Sequence, residues 1–171
     1  MRHIHVRPIE PADVSVLAEA FGGPDWGGSK PASLFERYVR EHESGERDVL
    51  VAFRGDAVAG YATIRWEPAY EPFRDAGVPT VEDLNVLISH RRKRVASALM
   101  DEAERRIGER SDTAGIGFGM DPGYGNAQRM YPQRGYVPDG RGLTTHDHPV
   151  KSGDTVRVDD DLVLYLTKRL R

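Results

Sequence analysis

Between residues 81 and 100 the chain passes from a strand pattern through a run of cations into an amphipathic helix, and this junction limits the folds open to it most. Val81, Leu84, Val86 and Leu87 mark the end of a strand, and Arg91-Arg92-Lys93-Arg94 form an unbroken basic turn. Over residues 95–107 the apolar positions Val95, Ala98, Leu99, Ala103 and Ile107 share one helical face, and Asp101, Glu102, Glu104 and Arg105 avoid most of it. The amides of a helix's first turn lack intrahelical acceptors and lie at the positive end of its dipole, so a strand-turn-helix junction of this kind suits an anion such as a diphosphate. The cations alone are also compatible with a solvated surface.

The other elements fall around this junction. His3 to Arg7 alternates apolar and polar residues, and residues 11–21 carry Val14, Leu17, Ala18 and Phe21 at helix spacing. The glycine-rich stretch 21–30 reads as a mobile loop carrying Trp26, and a second helix over residues 32–43 stops before Gly45. Residues 49–54 and 57–66 are β-rich runs joined by Gly55-Asp56, which predicts an antiparallel hairpin. Three prolines and Gly77 make residues 67–79 an irregular crossover in this reading, followed by a strand at 80–87. A glycine-rich strand at 114–120, a short helix at 126–133 interrupted near Pro132, a strand beginning at 135–137 and a closing strand at 161–167 complete the order. Mixed helices and strands in this order predict one α/β domain spanning residues 1–171, with 39% hydrophobic residues to fill its core.

Composition removes several classes. With no cysteine, disulfides, thiolate zinc sites and a cysteine nucleophile are excluded. A formal net charge of -3 argues against the broad basic surface of a nucleic-acid binder. No stretch reaches the ~20 apolar residues that span a bilayer, and no apolar signal core follows Met1-Arg2-His3-Ile4-His5-Val6, so a cytoplasmic protein without a membrane partner is expected. His146-Asp147-His148 is the one histidine cluster and reads as a turn; no metal is expected.

The junction resembles the pyrophosphate loop of the GNAT superfamily of acyl-CoA N-acetyltransferases, Gln/Arg-x-x-Gly-x-Gly/Ala. Arg91 and Ala96 match that pattern, and Arg94 stands where the family most often has glycine. A non-glycine residue held there at positive φ would cost ~1–2 kcal/mol. Ala127, Tyr131, Gly135 and Tyr136 resemble the later family signature, in which an alanine four residues before a tyrosine is followed by a Gly-aromatic pair; Tyr124 replaces the usual asparagine. Val81-Glu82-Asp83-Leu84-Asn85-Val86 is similar to the corresponding strand of diamine and polyamine acetyltransferases, where an acidic pair precedes the coenzyme-binding residues. The resemblance implies a mixed, mostly antiparallel sheet, splayed in the middle and flanked by helices. It also implies acetyl-CoA as cosubstrate, its pantetheine arm on the backbone of Leu84, Asn85 and Val86 and its pyrophosphate on Arg91, Arg92, Lys93, Arg94, Val95, Ala96 and Ser97.

An alkylammonium has a pKa of ~10.4, so only about one molecule in 10³ is a reactive free amine at neutral pH and a base is needed. Strand alternation puts Glu82 on the face of Leu84 and Val86, toward the coenzyme's reactive end, and sends Asp83 to the other face unless the strand is distorted there. Tyr131 can supply the proton that the departing thiolate requires. The bland readings are a solvated strand end for Glu82-Asp83 and a half-buried helix aromatic for Tyr131. Asp25, Trp26, Tyr70 and Phe73 lie in the two long loops and are candidates to line the acceptor pocket together with Asp83. The expected function is acetyl transfer to an amine of a small molecule. A non-catalytic acetyl-CoA sensor and an acetyltransferase for protein N-termini or lysines remain alternatives, and a homodimer is left open.

Overall fold

The computed structural model describes residues 3–171; Met1 and Arg2, the start of the segment considered for a signal, lie outside the described residues. The elements run β1 (Ile4–Pro8), α1 (Asp13–Phe21), α2 (Ala32–Ser44), β2 (Arg47–Arg54), β3 (Ala57–Arg65), α3 (Glu71–Ala76), β4 (Thr80–Val86), α4 (Val95–Gly108), β5 (Thr113–Gly119), α5 (Gly125–Gln133), β6 (Val137–Thr145), β7 (His148–Pro149) and β8 (Leu162–Arg169). Two compact units are formed: one holds the described chain up to Trp66 together with Glu82–Arg106, the other Glu67–Val81 together with Ile107–Arg171. The fold is mixed α/β with mostly antiparallel strand pairing.

In the first unit β1, β2 and β3 pair antiparallel, and β3 neighbours β4. The predicted hairpin closes at Gly55-Asp56, with Gly55 at φ 61°, a conformation that suits glycine. Helices α1 and α2 cover the sheet with Leu17, Phe21, Phe35, Tyr38 and Val39, which bury against Val49, Val51, Tyr61 and Leu87. Helix α2 ends where Gly45 takes a left-handed conformation, φ 79°, and its amide bonds the His42 carbonyl. Helix α4 buries Val95, Leu99, Met100, Ala103 and Ile107, whereas Ala98, expected on that face, is half-exposed. At about 100° per residue Met100 falls beside Ile107, and Ala98 falls outside the stripe that Val95, Leu99 and Ala103 define.

Gly60 sets how closely β4 approaches β3. A Cβ built there would lie 2.5 Å from the Asn85 carbonyl oxygen and 3.3 Å from Val86 Cα, both backbone atoms that cannot swing aside. Gly60→Ala is therefore expected to lower stability by about 1–3 kcal/mol through overpacking. Thermal unfolding would show it as a midpoint lower by about 2–4 °C per kcal/mol; an unchanged midpoint would mean that the two strands separate without cost.

In the second unit β5 pairs parallel with the start of β4 (Thr80↔Gly115, Val81↔Ile116) and antiparallel with β8, which in turn pairs antiparallel with β6. Residues 67–79, expected to be irregular, contain α3. The punctuation that argued against a helix instead bounds one: Pro72 sits in the first turn, where its missing N–H costs nothing, and Gly77 stops the helix at φ 65°. His146 and Asp147 form the expected turn, both at positive φ. Strand β7 was not anticipated; two residues of pairing leave too short a pattern to read. Helix α5 continues through Pro132 to Gln133.

Candidate active site

The basic turn is built as an anion cradle. Arg92 and Arg94 both have left-handed backbones, φ 57° and 65°, and all four cationic side chains from Arg91 to Arg94 are exposed. Positive φ at alternate positions turns successive amides toward one side, the geometry of an anion-binding nest. Helix α4 starts directly after it: Ala98 donates to the Arg94 carbonyl at 3.0 Å, which leaves the amides of Val95, Ala96 and Ser97 as the first turn's outward donors. These groups fit a diphosphate. Arg94, at the family's usual glycine position, thus does adopt the conformation that glycine favours. Arg91 Nε donates to the Val86 carbonyl at 3.2 Å, and Lys93 Nζ to the Ser89 carbonyl at 2.6 Å, so two of the cations brace the turn.

Strand β4 breaks its alternation at Asp83, whose φ is 54°. The expectation that Glu82 and Asp83 point to opposite faces is therefore corrected: both reach groups on one face of β3. Glu82 accepts from Arg47 Nη1 at 3.2 Å, and Arg47 also holds Glu41 at 2.7 Å and Thr63 at 2.8 Å. Asp83 accepts from the hydroxyls of Tyr38 (2.7 Å) and Tyr61 (2.8 Å) and from Asn85 Nδ2 (2.6 Å). Lys30 Nζ lies 3.4 Å away. The Arg47 guanidinium also stacks over Tyr38, 5.1 Å from the ring centre, so the two carboxylates belong to one network. Burial pushes the Asp83 carboxyl up, but Lys30, the two phenols and Asn85 outweigh it and hold the group below its ordinary value, as a carboxylate. The same arrangement pushes both phenols up: burial first, then the Asp83 charge. Leu84, Asn85 and Val86 are half-exposed.

Tyr131, in the second unit, is 6% exposed and packs its ring against Phe118 and Tyr136, at 6.3 and 6.1 Å. Burial alone pushes its phenol up to about 12, so it remains protonated throughout the neutral range. Tyr70 and Phe73 are not free loop aromatics. They are 3% and 2% exposed and pack with Val78 and Tyr165, and the Tyr70 hydroxyl donates to Asp139 at 2.6 Å. Gly115 makes room for Phe73, since a Cβ there would stand 2.6 Å from its ring. Asp25 is committed to holding its loop. Its carbonyl accepts from the Ile88 amide at 2.8 Å, and its carboxylate from the Ser89 amide and hydroxyl at 2.7 and 2.5 Å. The Ser89 hydrogen bonds, with the nearby Arg91, hold its carboxyl below the ordinary carboxylate pKa. Trp26 packs edge-on to Phe21 at 5.2 Å, with Lys30 Nζ 5.4 Å and the Arg91 guanidinium 6.0 Å from its ring centres.

Lys30, Tyr38, Arg47 and Tyr61 carry the network around the acidic pair, and sequence reasoning did not single them out. Tyr38 and Tyr61 look like ordinary core aromatics, and Arg47 stands between Glu46 and Asp48 in a charged stretch ahead of the apolar run. Among the described residues no cluster of three or more His, Asp or Glu is arranged to hold a metal ion, and no helix is long and apolar enough to cross a membrane.

The mixed sheet places, between β4 and α4, a turn with two left-handed residues that leads into the free amides of a helix start, a geometry that suits an anion. The family model of the Acetyltransferase (GNAT) family matches residues 16–136. The chain belongs to the GNAT acetyltransferase family. Among solved structures it is similar to a ribosomal-protein-alanine N-acetyltransferase from Brucella melitensis, with TM-score 0.69, 18% identity, and 97% of this chain and 99% of that one covered. It is also similar to yncA from Salmonella typhimurium, solved with its cofactor acetyl-CoA, with TM-score 0.64, 18% identity and coverage of 98% and 94%. A third is a spermidine N-acetyltransferase chimera of Vibrio cholerae SpeG and hSSAT, with TM-score 0.68, 11% identity and coverage of 98% and 95%. No curated protein sequence matches the chain.

Proposed function

We propose that this chain transfers an acetyl group from acetyl-CoA to an amine of a small molecule. The observation that carries the reading is the turn from Arg91 to Arg94, whose two left-handed residues lead straight into the free amides of α4. That cradle would take the coenzyme's pyrophosphate, and the half-exposed backbone of Leu84 to Val86 its pantetheine arm. Acetyl-CoA brings the acyl group as a thioester. Glu82, held by Arg47 at 3.2 Å, draws the proton from the acceptor's ammonium, directly or through one water, and so frees the amine to attack the thioester. Tyr131, protonated at working pH, returns a proton to the departing sulfur. The amine-acetylating and acetyl-CoA-bound relatives support this reading through fold alone.

The test is release of free thiol when the protein and acetyl-CoA meet a panel of small amines. Release with none of them, while coenzyme still binds, would make the chain a sensor; release only with peptides would move the acceptor to protein N-termini or lysines.

Arg94→Gly is expected to keep coenzyme affinity within tenfold, or 1.4 kcal/mol, because the cradle consists of main-chain amides. The substitution removes a left-handed side-chain penalty of ~1–2 kcal/mol and adds glycine's ~0.5–1 kcal/mol of chain entropy. Titration calorimetry with acetyl-CoA checks it. A larger loss would assign a phosphate to the Arg94 guanidinium itself.

A further inference from the structure

The glycine-rich loop over residues 22–31 joins α1 to α2, and it lies in the same unit as the basic turn. Little of its own sequence holds it in place. Gly22, Gly23, Gly27 and Gly28 bring no side chains, and Gly27 sits at φ 80°. Toward α1 it is anchored by the Lys30 amide on the Phe21 carbonyl at 3.0 Å and by the Trp26 ring edge-on to Phe21. Its remaining grip comes from the segment that leads from β4 into the cradle. Residues 88–90 form one 3-10 turn, and Leu87, which precedes it, supplies no capping side chain. The first two amides of that turn go to Asp25 instead. Ile88 donates to the Asp25 carbonyl at 2.8 Å and Ser89 to its carboxylate at 2.7 Å, while the Ser89 hydroxyl adds a third bond at 2.5 Å. Asp25 therefore caps, from 64 residues away in the chain, a turn that its own sequence leaves uncapped.

The carbonyls of the same segment hold the cradle's cations: Ser89 accepts from Lys93 Nζ and Val86 from Arg91 Nε. Residues 86–89 are thus gripped on their amide side by the loop and on their carbonyl side by the cradle. We infer that Asp25 is a positioning residue of the coenzyme cradle, and that through it the glycine-rich loop and the bound coenzyme stabilise one another. A cradle already held in its binding geometry binds more tightly than one that must first be ordered. The linkage is reciprocal, so the coenzyme must tighten the loop by as much as the loop tightens the coenzyme. Both Asp25 carboxylate oxygens are engaged by Ser89, so the residue acts through the turn and not on a reacting atom. Its charge alone would do the opposite, since a carboxylate near Arg91 repels a diphosphate. The inference rests on the reading of this turn as the coenzyme site and is independent of the acceptor.

The experiment combines calorimetric titration of acetyl-CoA with amide hydrogen exchange, in the presence and absence of acetyl-CoA, on the whole protein and on Asp25→Ala and Asp25→Asn. Asp25→Ala is expected to weaken binding by about fivefold or more, the low end of ordinary coupling between sites. Asp25→Asn keeps an acceptor for the Ser89 amide and should retain most of the affinity. In the unaltered protein acetyl-CoA should slow exchange over both residues 87–95 and residues 22–31. In Asp25→Ala the slowing over 87–95 should remain and that over 22–31 should vanish, a separation that a general loss of stability would not produce. Thermal melts verify the fold; if Asp25→Ala does not fold, Ser89→Ala, which removes only the hydroxyl bond, decides by a reduced response of residues 22–31. Unchanged affinity in a folded Asp25→Ala, or a loop whose exchange ignores acetyl-CoA in the unaltered protein, overturns the inference and leaves the proposed function standing. Tighter binding by Asp25→Asn also overturns it, since Asp25 would then be a repelling charge. Failure of the unaltered protein to bind acetyl-CoA overturns the proposed function, and the inference with it.

Discussion

Ala96→Glu is expected to abolish acetyl-CoA binding, with a loss of at least about a hundredfold, or ~2.7 kcal/mol. Ala96 lies in the first turn of α4, half-exposed, directly after the two left-handed residues of the cradle. A carboxylate there would occupy the space in front of the amides and repel a diphosphate at close range, while a glutamate is well tolerated in a helix's first turn. The fold should therefore survive and binding should not. Calorimetry with acetyl-CoA, paired with a thermal melt, separates the two. Binding that persists in a folded variant would relocate the coenzyme from this turn.

The second large effect divides Glu82 from Tyr131. Glu82→Gln keeps the shape and leaves Arg47 its bonds to Glu41 and Thr63, but removes the base. Turnover should fall by about 10²–10⁴ near neutral pH. The deficit should then shrink about tenfold per pH unit toward ~10.4, as the buffer deprotonates the amine in place of the protein. Tyr131→Phe should behave differently. Burial lifts this phenol from 10.0 to about 12, so the unaltered protein keeps its proton donor through the whole range in which the amine becomes free. The Tyr131 defect should consequently persist at high pH, with acetyl-CoA binding near normal. Steady-state pH-rate profiles for both variants with one accepted amine, alongside coenzyme titration, check the pair. Wild-type turnover for Tyr131→Phe at every pH would reduce Tyr131 to packing against Phe118 and Tyr136.

Local pattern was enough for most of the fold. Helix α4, the β2–β3 hairpin and the stop of α2 at Gly45 follow from spacing and from glycine's freedom at positive φ, and they occur where that reasoning puts them. The cradle was legible for the same reason: a helix start offers its amides whatever surrounds it, and four cations stand beside it in sequence. Helix α3 was missed because Pro72 and Gly77 break a longer helix but bound a six-residue one, and the pattern does not distinguish the two. The direction of Asp83 was beyond reach, since one backbone angle reverses strand alternation and no residue type announces it.

By itself, then, the sequence determined the elements, the basic turn and the family resemblance, because each depends on residues within a few positions of one another. Tertiary structure alone decided what surrounds the acidic pair. Asp83 meets Lys30, Tyr38 and Tyr61, which stand 53, 45 and 22 residues away in the chain. It alone decided, too, that Tyr70 and Phe73 are buried while Lys30 lies over the Trp26 ring. A loop aromatic goes into the core when a space such as the one Gly115 leaves is open beneath it, and a lysine stays near the surface when its charge finds a carboxylate there. Both outcomes depend on partners that only folding brings within reach.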